Sequence, residues 1–356
     1  MADTQKKINV GLVGYGMAGQ IFHAPMIQEV EGLELVCIRE SKEPNIALAQ
    51  RRYPQAVITS RAEDILEDTA IELVVVATPN TSHYSLVKSA LAAGKHVVVD
   101  KPFTVTTREA EELINLAQQQ GKLLSVFQNR RWDSDFKTVQ KVLASGALGN
   151  LVEYKAHFDR FRNTIRENTW KEDPAAGTGV LYDLGSHLID QALCLFGPPQ
   201  ELFAEVRTQR AHSQIVDKFD LTLFYGPLRV SLSAGMLVRE PAPRYILHGD
   251  QGTFLKYGLD VQEDLLKQGH TPATWPNWGA EPEEIWGQLT TQLQGLRLKG
   301  NVESEPGDYR AYYQNIYRAL LGQEELAVKP EQAREVVKII ELALQSSQEK
   351  RVLEVQ

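Results

Sequence analysis

The sequence predicts an α/β protein in two parts: a doubly wound parallel sheet, then an α+β domain with a large open antiparallel sheet. Three observations predict it. Up to about residue 127, short continuous Val/Ile/Leu runs alternate with amphipathic helical stretches, the pattern of parallel strands buried on both faces. The first run closes in a glycine-spaced turn, Gly14-Tyr15-Gly16-Met17-Ala18-Gly19. Beyond about residue 128, longer alternating segments replace the buried runs, as strands with one face on a core require.

In chain order, Ile8–Val13 is the first strand and 17–30 the helix that follows it. Leu33–Ile38 is the second strand, with a polar turn at Pro44 and a helix near 45–53 behind it. Leu73–Ala77 is a buried run closed by Thr78-Pro79-Asn80, and the next helix, 82–93, stops at Gly94. His96–Val99, a helix over 106–120 stopped by Gly121, and Leu123–Phe127 complete the first part, 1–127. The second part, 128–356, opens with a helix near 133–145 and a long strand, Leu151–Phe161. A helix over 180–196 ends at Gly197-Pro198-Pro199, and alternating segments follow at 201–209, 214–225, 228–237, 244–250 and 252–257. Residues 269–305 read as an irregular excursion, and helices near 307–321 and 331–347 close the chain. The last of these is a candidate to pack back on the first part.

The bulk composition narrows the function classes. A chain of 356 residues suits two domains. Its net charge of −8 argues against nucleic acid or an anionic membrane as partner. No apolar run reaches spanning length, and the N-terminus lacks the apolar core of a secretory signal, so a cytoplasmic location is expected. Cys37 and Cys194 sit in apolar contexts far apart and read as buried thiols. The eight histidines show no metal-ligand spacing, so no metal site is expected.

The glycine turn has the chemistry of a dinucleotide site. Gly14 permits the tight turn, Gly16 lets backbone approach a pyrophosphate, and Gly19 lets helix and strand pack closely. Met17 and Ala18 lie between them at the helix N-terminus, which presents N–H groups and a positive dipole end. The position for reading the ribose is Arg39-Glu40-Ser41-Lys42. Glu40 would accept from both ribose hydroxyls and favour NAD; Arg39, Ser41 and Lys42 would hold a 2′-phosphate and favour NADP. Two cations and a hydroxyl against one acid tilt the reading to NADP. Thr78, Pro79 and Asn80 lie at a strand's carboxyl end, where such folds bind ligands, and His83 follows in the next helix.

The stretch GTGVLYDLGSHLIDQA, 177–192, raises its own question. It is helical by its leucine spacing, yet Gly185 interrupts it, and Asp183 and His187 stand four residues apart on one face. Close approach of a ligand or of the sheet explains the glycine, and proton handling explains the acid and imidazole. Asn129, Arg130 and Trp132 follow the last strand of the first part and are candidates for cofactor or substrate contact. Trp170 and Lys171 precede the glycine-rich turn and are candidates to close over the site. Tyr154, His157, Asp159 and Arg162 on or beside the first strand of the second part are candidates for substrate hydroxyls; alternate polar positions also suit a solvent face.

The ordered motifs GYGMAG, ATPNTSHYSLVKSALAAGKHVVVDKP and GVLYDLGSHLID resemble the Gfo/Idh/MocA oxidoreductases, the glucose–fructose oxidoreductase and inositol dehydrogenase superfamily. QNRRWDSDF, 128–136, and 170–196 resemble a bacterial subgroup that includes NADP-dependent scyllo-inositol dehydrogenases. The resemblance spans essentially the whole chain. It implies a Rossmann NAD(P)-binding domain followed by the open-sheet domain, whose sheet commonly forms oligomer interfaces, hence a homodimer or homotetramer. It also implies a catalytic set of Lys101, Asp183 and His187 that contacts substrate as well. The family's Glu-Lys-Pro reads Asp100-Lys101-Pro102 here; the carboxylate is one methylene shorter, and Asp100 and Lys101 remain candidates for cofactor contact.

The activity implied is an NAD(P)-dependent dehydrogenase that interconverts a secondary alcohol and a ketone on a cyclic polyol or sugar. In that scheme His187 is general base, Lys101 stabilises alkoxide character and Asp183 orients hydroxyls or supports the imidazolium. Two other classes share the fold: a glycosidase that oxidises its sugar transiently with bound NAD, and a non-catalytic dinucleotide-binding regulator.

Overall fold

The computed structural model describes residues 6–166 and 169–355. The chain forms two compact units. The first comprises residues 1–129, 262–278 and 309–334; the second comprises 130–261, 279–308 and 335–356.

The first unit is built on six parallel strands: β1 (Ile8–Val13), β2 (Leu33–Arg39), β3 (Val57–Thr59), β4 (Leu73–Val76), β5 (His96–Asp100) and β6 (Leu124–Phe127). Their order is β3-β2-β1-β4-β5-β6, so the order of winding reverses between β1 and β4 while the strands stay parallel. That reversal opens the ligand-binding crevice of doubly wound folds at the strands' carboxyl ends. All four residues of β4 are buried, as expected of a run covered on both faces. Strand β3 lies outside the expected elements, because three part-exposed residues at a sheet edge leave no buried run to read. Helix Thr107–Gln120 begins in a capping box between Thr106 and Glu109 and ends at Gly121, whose φ is 60°.

The second part was expected to hold everything after 128, but the structure returns two segments to the first unit. The reason is a row of tyrosines. Tyr309, Tyr312, Tyr313 and Tyr317 are buried along helix Arg310–Leu320 and its cap. Tyr312 donates to Ser125 Oγ at 2.9 Å, Tyr317 donates to the Lys6 carbonyl at 2.7 Å, and Tyr313 Oη lies 2.6 Å from His23 Nδ1.

The second unit carries nine strands: β7 (Leu151–His157), β8 (Glu201–Arg207), β9 (Lys218–Tyr225), β10 (Leu228–Gly235), β11 (Tyr245–Gly249), β12 (Gly252–Lys256), β13 (Gly287–Leu293), β14 (Leu296–Val302) and β15 (Leu353–Glu354). Their order is β14-β13-β12-β11-β7-β10-β9-β8-β15. Every pairing is antiparallel except β7 with β10. One face carries the core, in which Tyr154, Ala156, Leu221, Leu232 and Leu247 meet Leu184, Leu188 and Ile189.

Two further expectations change here. The stretch 269–305 contains the hairpin β13–β14, turned at Gln294 (φ 50°) and Gly295 (φ 83°). It was read as irregular because its strands are polar and largely exposed. The closing helix runs Pro330–Glu349, and Val336, Ile339, Ile340 and Ala343 bury its apolar face in the core of the second unit. Its body therefore belongs to the core of the second unit.

Candidate active site

The three motif glycines meet different surroundings. A Cβ on Gly14, whose φ is 104°, would lie 2.3 Å from the Ala77 carbonyl oxygen. One on Gly19 would lie 2.3 Å from the Gly14 carbonyl oxygen. Both positions demand glycine for packing. Beside Gly16, no heavy atom lies within 4 Å of a Cβ position. Its lack of a side chain therefore serves nothing inside the chain and suits an external group, as the pyrophosphate reading requires. Met17 is exposed and Ala18 half-buried at the start of the helix, which winds as a π turn over Gly19–His23 before continuing to Gln28.

At the end of β2, Glu40 is buried and turned onto its own chain. Its Oε1 accepts the N–H groups of Ser41 (2.7 Å) and Lys42 (3.0 Å), and its Oε2 accepts from Asn45 Nδ2 (3.0 Å). Burial opposes its charge, but these three donors outweigh burial and hold the carboxyl below its ordinary pKa. Ser41 and Lys42 are exposed at the start of helix Glu43–Arg52, and half-buried Arg39 donates to the Ser60 carbonyl at 3.1 Å.

His83 was expected to contact cofactor, and the structure corrects this. The ring is fully buried, with Nδ1 2.8 Å from the Pro102 carbonyl oxygen and Nε2 2.9 Å from that of Thr78. It ties two loops together and has no surface for a ligand. Thr78 is half-buried, Pro79 exposed and Asn80 buried; Thr78 Oγ1 also accepts from Ser82 Oγ at 2.7 Å. Half-buried Lys101 follows β5 ahead of a cis peptide bond to Pro102. Asp100 Oδ1 accepts the Lys101 N–H at 2.8 Å and lies 3.9 Å from His23 Nε2. Burial works against the Asp100 charge, but His23, Lys101 and His83 outweigh it and lower its pKa. Asp100 thus faces His23, a histidine that the motifs did not point to, as well as His83.

Asn129 is buried at the end of the first unit's opening segment. Arg130 is also buried: its guanidinium pairs with Asp133 at 3.1 Å and stacks 5.0 Å from the Phe158 ring centroid. That arrangement leaves it little surface for cofactor, against expectation. Trp132 is half-buried, and its carbonyl accepts the Asp308 N–H at 3.1 Å.

In the second unit, the chain enters the site helix through Gly179, where a Cβ would lie 2.7 Å from the Val216 carbonyl oxygen. Leu181–Gly185 winds as a π turn and Ser186–Phe196 as an α-helix. Gly185 is explained by the sheet, since a Cβ would come within 3.1 Å of Leu181 and 3.2 Å of Phe219. The π turn widens the backbone where Asp183 sits. Lys171 Nζ donates to Asp183 Oδ1 at 3.1 Å. His187 is 5% exposed, and its ring lies 6.4 Å from that of Phe158, tilted 31°. Phe158 is itself flanked by the guanidiniums of Arg130, Arg160 (5.3 Å) and Arg244 (4.6 Å).

Strand β7 separates the residues expected to share a substrate. Tyr154 is 0% exposed and packs edge-on to Phe196 in the core, so it is withdrawn as a substrate contact. His157 pairs in register with Ser233, and Ser233 with Asp220, on the opposite, polar face. His157 and Asp159 approach there at 3.7 Å. Burial lowers the His157 pKa and raises that of Asp159. Phe158, next to His187, is on the Tyr154 face; His157 and Asp159 therefore lie across the strand from the helix that carries His187. Arg162 is half-buried, its N–H bonded to the Met236 carbonyl at 2.7 Å, with its pKa lowered by burial and by Arg166 and Arg160. Trp170 is half-buried beside Lys171, whose Nζ lies 5.8 Å from the indole centroid.

Residues 8–128 match the model described as an oxidoreductase family, NAD-binding Rossmann fold, and residues 140–355 the model of that family's C-terminal alpha/beta domain. The chain is 40% identical to the scyllo-inositol 2-dehydrogenase (NADP(+)) IolW of Bacillus subtilis, over 97% of this chain and 95% of that protein. It is 42% identical to the oxidoreductase YdgJ of Escherichia coli, over 97% and 98%. The solved structure of the oxidoreductase yvaA from Bacillus subtilis superposes with a TM-score of 0.95 at 39% identity, covering 99% of both chains.

Proposed function

This chain belongs to the Gfo/Idh/MocA oxidoreductase family, and from that premise we propose that it interconverts a secondary alcohol and a ketone on a cyclic polyol or sugar. We take NADP as its cofactor and scyllo-inositol as its leading substrate. The observation that carries the reading is the helix turn bearing Asp183 and His187 in a chain whose other unit leaves Gly16 open for a dinucleotide.

The nicotinamide, when bound, takes up or returns the hydride. The chain's residues handle the rest. In oxidation, His187 removes the hydroxyl proton as the carbon gives up hydride; in reduction, it returns that proton. Lys101 donates a hydrogen bond to the reacting oxygen and stabilises its alkoxide character. Asp183 accepts from a neighbouring hydroxyl and fixes the ring's orientation. For the cofactor's phosphates, the residues present fit: the Gly14–Gly19 turn opens a helix N-terminus with space at Gly16.

The NADP preference rests on Glu40. Both its oxygens are engaged by Ser41, Lys42 and Asn45, so it has little capacity left for a ribose diol. Exposed Ser41 and Lys42, with Arg39, suit a 2′-phosphate. The relative named as NADP-dependent supports the same reading. We further expect a cytoplasmic homodimer or homotetramer with no nucleic-acid or membrane partner. Net charge −8 and the exposed Leu293, Leu296 and Leu298 of the β13–β14 hairpin favour this.

The test is a spectrophotometric assay with NADP and NAD in parallel against scyllo-inositol, myo-inositol, glucose, xylose and their keto forms. Turnover of an inositol with NADP is the expected result. Turnover with NAD alone would return the ribose-reading role to Glu40, and no turnover across the panel would remove the polyol reading.

A further inference from the structure

Residues 169–179 lead into Val180, whose N–H donates to the Val216 carbonyl at 2.8 Å. This strap contains a short turn, Trp170–Glu172, in which the Lys171 N–H donates to Thr169 Oγ1 at 3.4 Å and the Glu172 N–H to the Thr169 carbonyl at 3.1 Å. Two adjacent side chains of the turn go to different places.

Glu172 goes to the body of the unit. Arg210 grips it with both terminal nitrogens, at 3.1 and 2.8 Å, and donates through Nε to Asp217 at 3.0 Å. The Arg210 and Asp217 side chains are 1% and 0% exposed. Asp217 also accepts the N–H groups of Gln209 and Arg210 at 2.6 and 3.0 Å. Burial disfavours the Arg210 charge, yet Glu172 and Asp217 more than compensate and raise its pKa. A bidentate guanidinium–carboxylate contact of this kind fixes geometry as well as charge.

Lys171 goes to the site. It donates to Asp183 at 3.1 Å, with the two side chains 40% and 31% exposed. An exposed lysine–carboxylate pair contributes little stability on its own, largely because two side chains must be ordered to make it. Here the turn is already fixed one residue away by Arg210, so less freedom is lost. The pair is therefore better explained by what it does to Asp183: a cation held at 3.1 Å from Oδ1 restricts the rotation of the carboxylate.

We propose that Lys171 is a positioning residue that orients Asp183 for the substrate, and that the Glu172–Arg210–Asp217 chain holds Lys171 in place. The inference rests on the role proposed above for Asp183. It identifies the strap as a specificity element: an oriented carboxylate selects a ligand with a hydroxyl donor at that point and rejects a deoxy analogue.

The experiment is a double-mutant cycle on the full-length protein with Lys171→Met, Asp183→Asn and both, plus Lys171→Arg and Glu172→Gln. Two quantities are read: amide hydrogen exchange of 169–180 in the protein alone, and kcat and KM for scyllo-inositol with NADP. Expected are about 10-fold faster exchange and about 10-fold lower kcat in Lys171→Met, with KM changed by less than about threefold. Lys171→Arg recovers most of the kcat, Glu172→Gln loosens the same amides, and Lys171→Met has no further effect on either quantity in the Asp183→Asn background. Losses that simply multiply in the double variant, or unchanged exchange in Lys171→Met, overturn the proposal. A wild-type protein that turns over no polyol sinks the functional reading instead, and exchange then decides on the Lys171–Asp183 contact by itself.

Discussion

His83 Nδ1 lies 2.8 Å from the carbonyl oxygen of Pro102, the residue after Lys101. The other ring nitrogen reaches the Thr78 carbonyl, so one buried imidazole ties the loop after β4 to the loop after β5. Burial lowers the His83 pKa against the opposing pull of Asp100 and the carbonyls. The neutral ring has one N–H to donate, and the second carbonyl contact is electrostatically unrewarded.

His83→Ala should therefore lower Tm, weaken cofactor binding and reduce kcat together, because both loops lose their tie. We expect a stability loss of about 2–4 kcal/mol in denaturant titration. The pH dependence follows from the sign of the shift. The unfolded chain takes up the proton first, so stability is complete above the unfolded value near about 6.5 and declines below it. His96 and His157, also lowered by burial first, act in the same direction. Removing His83 should flatten that decline between about pH 7 and 5. An unchanged slope would mean that the ring takes up its proton equally in the folded and unfolded chain.

The glycine turn separates packing from binding. Gly19→Ala places a Cβ 2.3 Å from the Gly14 carbonyl oxygen and should cost about 1–3 kcal/mol in thermal unfolding. Gly16→Ala meets nothing within 4 Å; its Tm should stay within about 1–2 °C while NADPH affinity, read by fluorescence, falls at least about 10-fold. Equal effects of the two changes on Tm would contradict the reading of Gly16.

Cofactor choice is carried by exposed Ser41 and Lys42 with Arg39. Lys42→Ala should raise the KM for NADP about 5- to 10-fold and leave that for NAD within about twofold. Glu40→Gln exchanges a carboxylate held by three donors for an amide and should destabilise helix Glu43–Arg52 rather than improve NADP use. A large gain in NADP preference from Glu40→Gln would show that Glu40 reads the ribose after all.

Away from the site, Lys256 and Glu281 form a fully buried ion pair at 2.8 Å, with Ser134 and Ser304 also donating to Glu281. Lys256→Met should cost about 3–5 kcal/mol because it leaves a buried carboxylate without its cation. Chemical denaturation measures this directly, and a cost below about 1 kcal/mol would show that the buried pair adds little to stability.

The parts of the fold that depend on local grammar were legible in the sequence. Buried runs such as Leu73–Val76 and the stop at Gly121 read directly, because continuous apolarity and a left-handed glycine are local signals. The parts that depend on partners were not. Tyr154 and His157 looked alike as polar residues on one strand, although their parity already placed them on opposite faces. His83 reads as a cofactor contact near a helix start; only the fold brings Thr78 and Pro102 to its two nitrogens. Lys171 was noticed beside the glycine-rich turn, but its contact with Asp183 depends on Arg210 and Asp217, some forty residues later in the chain.

The most direct test of the account is the Lys101→Ala variant, assayed for NADPH affinity by fluorescence and for scyllo-inositol turnover with NADP. The account predicts affinity within about threefold of wild type and kcat lower by about 10²- to 10³-fold, the loss of one stabilising donor to the developing oxyanion. Cofactor affinity retained with kcat unchanged would contradict it, since Lys101 would then take no part in the chemistry.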